Sequence, residues 1–326
     1  MTDWLTLPDL ATRRYGGSVV WADDETFAEK ENLITAAPPV FHPHTFGHKG
    51  QLYDGWETRR RRTPGDDNAV IRLGLPGVIR GVVVDTAFFT GNYPPACSVS
   101  AVSAPGYPDP HELIAAPWEP LLTHVPLTGD TRTEFDVDNP RRFTHVRLTM
   151  HPDGGIARLR VHGHPVPDPA LIDPHALDLA ALENGARVID CSDMFYSPPS
   201  NLIAPGTPAS MGEGWETRRR RDTANDWAVI RLAAEGTIRF AEIDTTHFKG
   251  NAPGWATLSA GTPDHWTPLL PRTRLQPDTR HRFRIPNPHP TTHVRLDIYP
   301  DGGVARLRLH GSLTPEGLQT LETLRA

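Results

Sequence analysis

Two eight-residue segments concentrate the side chains best suited to chemistry in this chain of 326 residues. Gly55-Trp56-Glu57-Thr58-Arg59-Arg60-Arg61-Arg62 returns as Gly214-Trp215-Glu216-Thr217-Arg218-Arg219-Arg220-Arg221. A glutamate beside tryptophan can act as general acid or base if burial raises its pKa. Arginine can hold a carboxylate through two parallel hydrogen bonds. Glu57 and Glu216 are therefore acid–base candidates, and Arg59, Arg60, Arg218 and Arg219 are anion-binding candidates. In an extended segment, Arg59 and Arg61 face one side and Arg60 and Arg62 the other. The plainer reading is a solvated basic edge strand that blocks edge pairing.

A second duplicated segment, Asp85-Thr86-Ala87-Phe88-Phe89-Thr90-Gly91-Asn92, pairs with Asp244-Thr245-Thr246-His247-Phe248-Lys249-Gly250-Asn251. It follows an apolar run, which places its polar groups at the rim of a sheet. Asp85 and Asp244 can order a base, and the Asn92 and Asn251 amides can read a urea-like group. The same residues also suit an Asx turn. His247 adds a catalytic candidate whose counterpart is Phe88, so the two copies are not chemically equivalent. Lys49 and Lys249, two of three lysines, add cationic substrate-binding candidates. His42, His44 and His48 lie near Lys49 with a spacing that can ligate metal, although solvated loop histidines are commoner. His145 and His293 open strands in both copies as rim or plain surface residues. Cys97 and Cys191 have no shared position and read as buried inert thiols.

Self-comparison supplies the elements that must position these groups. At an offset of 159, residues 55–92 match 214–251 at 22 of 38 positions, and at 148, residues 145–163 match 293–311 at 14 of 19. Asp9-Leu10-Ala11 and Asn32-Leu33-Ile34 reappear as Asp178-Leu179-Ala180 and Asn201-Leu202-Ile203. The chain therefore reads as a duplicated domain: 1–163, a linker at 164–169, 170–311, and a tail at 312–326. The first copy has longer loops within 35–54 and between about 105 and 144. Alternation in Val146, Leu148 and Met150, then Leu159 and Val161, across Pro152-Asp153-Gly154-Gly155, predicts an antiparallel hairpin, repeated in the second copy. Val70–Leu73 and Val78–Val84 predict two further short strands. Asp173-Pro174 predicts a short helix reaching Leu182. Thr314-Pro315-Glu316 predicts another, with Leu318, Leu321 and Leu324 on one face.

Composition sets outer bounds. The formal charge is −6, with 33 basic and 39 acidic residues. A mildly acidic chain is a poor binder of nucleic acid, and the arginine runs lack an aromatic stacking array. No apolar run reaches the roughly 18–20 residues of a membrane span. With only two cysteines there is no disulfide framework. The N-terminal residues lack the basic and apolar regions of a secretory signal, so a cytoplasmic location is expected.

The segment from Asp54 to Arg60, the segment from Asp244 to Asn251 and the block from His293 to Gly311 resemble the allantoicase (allantoate amidinohydrolase) family. The likeness spans nearly the whole chain, including its duplication. It implies an all-β fold of two tandem jelly-roll β-sandwiches of the galactose-binding-like or discoidin-like type. It also implies hydrolysis of allantoate to ureidoglycolate and urea in purine catabolism. Such a site needs an acid for the departing urea, a base for water and a cation for the substrate carboxylate. A divalent metal such as manganese could polarise the substrate instead. The expected partner is this small molecule, not nucleic acid or membrane, with a homo-oligomer left open. The competing reading is a tandem carbohydrate-binding module with Trp56 and Trp215 as stacking platforms.

Overall fold

The computed structural model describes residues 4–262 and 265–323, and the chain divides into two compact units, Met1–Val166 and Pro167–Ala326. Each is a β-sandwich of jelly-roll type. In the first unit the main strands are β1 (Ser18–Ala22), β2 (Trp56–Glu57), β3 (Asp67–Asp85), β4 (Ala96–Val102), β5 (Glu119–Pro126), β6 (Arg132–Asp136), β7 (Arg142–His151), β8 (Gly155–Ile156) and β9 (Arg158–Pro165).

The two short strands predicted at Val70–Leu73 and Val78–Val84 are one 19-residue strand, β3, that serves both layers. Its first half, Asp67–Arg72, lies between β1 and β7. Its second half pairs with β9 from Gly77 to Asp85 and, on the other side, with β6 from Gly81 to Asp85. Register with β7 breaks between Arg72 and Gly77, where the strand turns from one layer into the other. The expected β7–β9 hairpin is corrected on the same ground. Both strands exist, but they do not pair with each other: β7 pairs with β3 over Asp67–Arg72 and again at Gly77 and Val78, β9 pairs with it from Gly77 to Asp85, and Pro152–Gly155 carries the chain from one to the other. Alternation along a strand fixes which face is apolar, not which neighbour supplies the hydrogen bonds. Ile71, Val82, Val84, Leu148, Leu159 and Val161 are among the fully buried core residues.

The second unit repeats this plan with β10 (Arg187–Cys191), β11 (Trp215–Glu216), β12 (Asp226–Asp244), β13 (Trp255–Thr262), β14 (His265–Arg274), β15 (Arg280–Arg284), β16 (Pro290–Tyr299), β17 (Gly303–Val304) and β18 (Arg306–Leu313). The long strand β12 again pairs with β10 and β16 at one end and with β15 and β18 at the other.

Helices are few. α1 (Pro110–Ile114) occupies the longer second loop of the first copy and starts in a capping box from Asp109 to Glu112. α2 (Pro315–Thr323) buries Leu321 as its pattern predicts; Leu324 lies outside the described residues. The predicted helix from Asp173 does not form. The Asp173 carboxylate accepts from the His175 amide in an Asx turn, and Leu177–Asp178 joins β18 as a short strand. The proposed linker begins inside β9, which runs through His164 to Pro165.

Candidate functional site

The duplicated Trp-Glu pair forms a two-residue strand in each unit. β2 pairs with β8, and on its other side Glu57 bridges Ala28 through backbone hydrogen bonds of 3.2 and 3.3 Å. Trp56 is fully buried and its indole Nε1 donates to the Asp24 carbonyl at 2.7 Å. Trp215 is equally buried and donates to the Asp193 carbonyl at 2.8 Å. The indoles anchor the strand from inside, so neither can be the exposed stacking platform that a sugar-binding site requires.

That anchoring holds Glu57 in a nearly closed position, 8% exposed. The Asn92 amide donates to Glu57 Oε1 at 2.5 Å, while Glu57 Oε2 is buried with no hydrogen-bond partner. Burial raises the Glu57 pKa above the usual carboxylate range, and the Asn92 bond opposes that rise without cancelling it. Glu216, half-buried, receives the same bond from Asn251, whose amide also lies 3.4 Å from Met211 Sδ. Each asparagine gives an amide N–H to its glutamate and so positions the acid–base candidate. The docking is tight: the Gly155 amide donates to the Asn92 carbonyl at 2.7 Å, and a Cβ on Gly154 would meet that carbonyl at 2.7 Å. At φ +146° Gly154 also adopts a backbone conformation that side chains disfavour.

The aspartates fall into turn geometry. Asp85 Oδ1 accepts from the Ala87 amide, and Asp244 Oδ1 from the amide and hydroxyl of Thr246. Asp244 also borders a recess of about 310 Å³ with Glu183, Glu242, Arg280, Arg308 and His310. Phe88 and His247 share an unusual backbone, φ +70° and +73°, and each amide is held by an aspartate, Asp130 or Asp278. Their side chains then meet the loop that precedes the Trp-Glu strand. The Phe88 ring lies 5.5 Å from that of Phe41, and His247 Nε2 lies 3.0 Å from the Pro208 carbonyl. Position 88/247 therefore fastens a loop in both units.

The arginine run alternates in partners, although it is not a regular strand. Arg59 pairs with Asp24 and Arg61 with Asp67; Arg218 pairs with Asp193 and Arg220 with Asp222 and Asp226. Arg60 and Arg219 are exposed and make no ion pair among the described residues. All four arginines from 59 to 62 border a recess of about 350 Å³ with Asp23, Asp24 and Asp67. Lys49 donates to the Glu25 carbonyl and pairs with Glu29, whereas Lys249 is exposed.

The metal candidates do not assemble. His42, His44 and His48 lie in the loop over 35–54, His44 and His48 being exposed. Among the described residues no group of three or more histidine, cysteine or acidic side chains is placed to hold a metal ion. His145 is buried and its pKa falls to about 4 through desolvation, which makes it a neutral interior residue, not a rim one. Cys97 is buried with its thiol pushed up to about 12, but Cys191 is only half-buried, contrary to the buried reading.

Sequence reasoning missed the strongest local lock. Arg158, fully buried, holds Asp54 through two bonds of 2.8 Å and also donates to the carbonyls of Ala37, Asp54 and Ala157. The pair ties the residue before Gly55 to β9 across 104 positions. Its signal was the repeated Ala-Arg-Leu-Arg of 157–160 and 305–308.

Comparison with known proteins agrees with this duplicated geometry. The allantoicase repeat family matches twice, at residues 8–166 and 177–314. A probable allantoicase of Nocardia farcinica is 61% identical over 311 residues, covering 94% of each chain. One from Streptomyces avermitilis is 53% identical over 328 residues, covering 96% of this chain and 87% of the relative. The crystal structure of allantoicase from Saccharomyces cerevisiae superposes with a TM-score of 0.78 at 36% identity, covering 93% of this chain and 92% of that one. With both repeats matched and near full-length relatives at this identity, the chain belongs to the allantoicase family.

Proposed function

We propose that this chain hydrolyses allantoate to ureidoglycolate and urea, with Glu57 as the acid–base residue. The observation that carries the assignment of Glu57 is its carboxyl: one oxygen fixed by Asn92, the other buried and unpartnered, the pKa raised by burial. A carboxyl of that kind keeps its proton to a higher pH than an exposed one and can deliver it to a leaving group.

The central carbon of allantoate bears a carboxylate and two ureido groups. The lone pair of one ureido nitrogen expels the other group as Glu57 gives its proton to the departing nitrogen. The C–N bond breaks, urea leaves, and a C=N bond remains on the retained ureido nitrogen. Glu57, now a carboxylate, takes a proton from water as the water oxygen adds to that carbon. Ureidoglycolate forms and the carboxyl is restored, so one water is consumed for each urea released. Arg60 and Arg62, both exposed and without an ion pair among the described residues, are the arginines of the run free to receive the substrate carboxylate, since Arg59 and Arg61 already hold aspartates. No step is routed through a metal ion, since no ligand set is assembled among the described residues.

The test is urea release. Purified protein should liberate urea from allantoate and leave ureidoglycolate, but should not act on allantoin, whose ring is closed. Absence of urea from allantoate, with or without added Mn²⁺, would reject the assignment.

A further inference from the structure

A separate cluster lies on the outer face of the first unit's sheet, in β4, β7 and the turn entering β3. Ser98 Oγ lies 2.7 Å from His151 Nε2, and His151 Nδ1 lies 3.0 Å from Asp66 Oδ2. An ionised carboxylate only accepts, so the Nδ1 proton faces Asp66 and the Nε2 lone pair faces the serine hydroxyl. This is the connectivity of a nucleophile, its base and the group that orients the base.

The strands create it. Ser98 stands opposite Thr149 in the β4–β7 ladder, and His151 lies two residues further on the same face. The β4–β5 register shifts between Cys97 and Val99, and His124, in the extra stretch of β5, has φ +46°. Its amide donates to Ser98 Oγ at 3.0 Å, and its ring stacks on that of His151 at 4.7 Å. The His151 and Asp66 side chains remain open to solvent, 19% and 43% exposed, so a small molecule can reach them. The fold does not demand these residues. By the same ladder positions the second unit carries Thr257 for Ser98, Tyr299 for His151 and Asn225 for Asp66, and it builds the same strands.

We propose that Ser98, His151 and Asp66 form a second reaction centre, a serine hydrolase site for small activated esters, independent of allantoate cleavage. Ser98 Oγ attacks the ester carbonyl carbon as its proton passes to His151 Nε2. The C–O bond to the leaving alcohol breaks, the alcohol takes that proton, and the acyl group stays on Ser98. Water then adds to the acyl carbon, gives a proton to Nε2, and Ser98 leaves with it, releasing the carboxylic acid. Asp66 holds the imidazole in the required tautomer throughout. The His124 amide, which donates to Oγ at 3.0 Å, lies beside the reacting oxygen and can steady the charge that develops next to it.

The experiment uses the full chain with p-nitrophenyl acetate and a fluorophosphonate, and locates the adduct by peptide mass spectrometry. One phosphonyl adduct on Ser98 is expected, with ester turnover that disappears in S98A. H151N should slow labelling about 10²–10⁴-fold, the usual worth of a general base. S98A should retain full allantoate turnover, which shows that the protein is folded and that the two sites are separate. Absence of an adduct at Ser98, or labelling of H151N at the wild-type rate, would overturn the proposal.

Discussion

Replacing Glu57 by glutamine is the most discriminating perturbation of the proposed mechanism. The glutamine side chain has nearly the same shape and can keep its carbonyl oxygen toward the Asn92 amide, so the two-residue strand and its anchors remain. What disappears is the proton. General acid–base catalysis is worth about 10²–10⁴-fold, or about 3 to 6 kcal/mol of barrier at about 1.4 kcal/mol per tenfold. Stability should move the other way. The folded pKa of Glu57 is raised, so its proton favours the folded state at low pH, and that contribution is lost as pH rises through the folded value. Above that pH the wild type must hold a buried carboxylate whose Oε2 has no partner, whereas a neutral amide avoids the charge. Glu57→Gln should therefore melt at or above the wild-type temperature at pH 8 while turning over allantoate at least 100-fold more slowly. Glu216→Gln, at the less buried counterpart, should lose less. Urea release under saturating allantoate, paired with thermal melts at pH 5 and pH 8, measures both effects. Turnover within threefold of wild type would refute the acid–base role. A fall in melting temperature at pH 8 would refute the burial argument.

Asn92→Ala removes a hydrogen bond to a carboxylate, worth about 1.5–3 kcal/mol, and should lower kcat roughly 10- to 100-fold with the fold intact. Arg60→Ala should raise KM for allantoate and leave the melting temperature unchanged, while Arg61→Ala should destabilise by about 3–5 kcal/mol because Asp67 is left buried and unpaired. His145 has a folded pKa near 4 against an ordinary 6.5, so the stability it contributes is present above about 6.5 and lost as pH falls toward 4. Urea midpoints from pH 7 to pH 4.5 should drop, and His145→Gln should flatten that drop. A thiol reagent at pH 8 should modify Cys191 in the native protein and Cys97 only after unfolding; equal rates would contradict the burial difference.

The duplication, the alternating strands and the Trp-Glu segments were legible because they are periodic or repeated, and repetition survives any uncertainty about partners. The link between Glu57 and Asn92 was less so. Both residues were candidates, but nothing along the chain says that an amide 35 residues away is committed to the carboxylate and not to a ligand. The roles of Asp85 and Asp244 were balanced between turn and chemistry, and the local amide geometry favours the turn. The buried tryptophans show the limit from the other side: an aromatic next to charged residues suggests a surface platform until the partner of its N–H is known. The merged strand β3 could not be read because the Gly74–Pro76 stretch looks like a break; the ladder with β7 does lapse there, and the strand bends and resumes pairing at Gly77.

That long strand has a consequence for how the chain reaches its native state. Each unit closes only when a segment from near its end returns to both halves of one strand, a contact pattern of large sequence separation and slow search. The returning segments of the two units are nearly interchangeable, with 14 of 19 residues identical across 145–163 and 293–311. A denatured full-length chain therefore offers two similar guests to two similar hosts, and crossed pairings are traps of the kind that duplicated domains favour. Synthesis from the N-terminus removes the competition, because β9 is available to β3 before β18 exists. Asp54 adds a local check: it grips Arg158 with both carboxylate oxygens. Order of emergence and this grip therefore favour pairing within the first half of a duplicated chain before the second half is made.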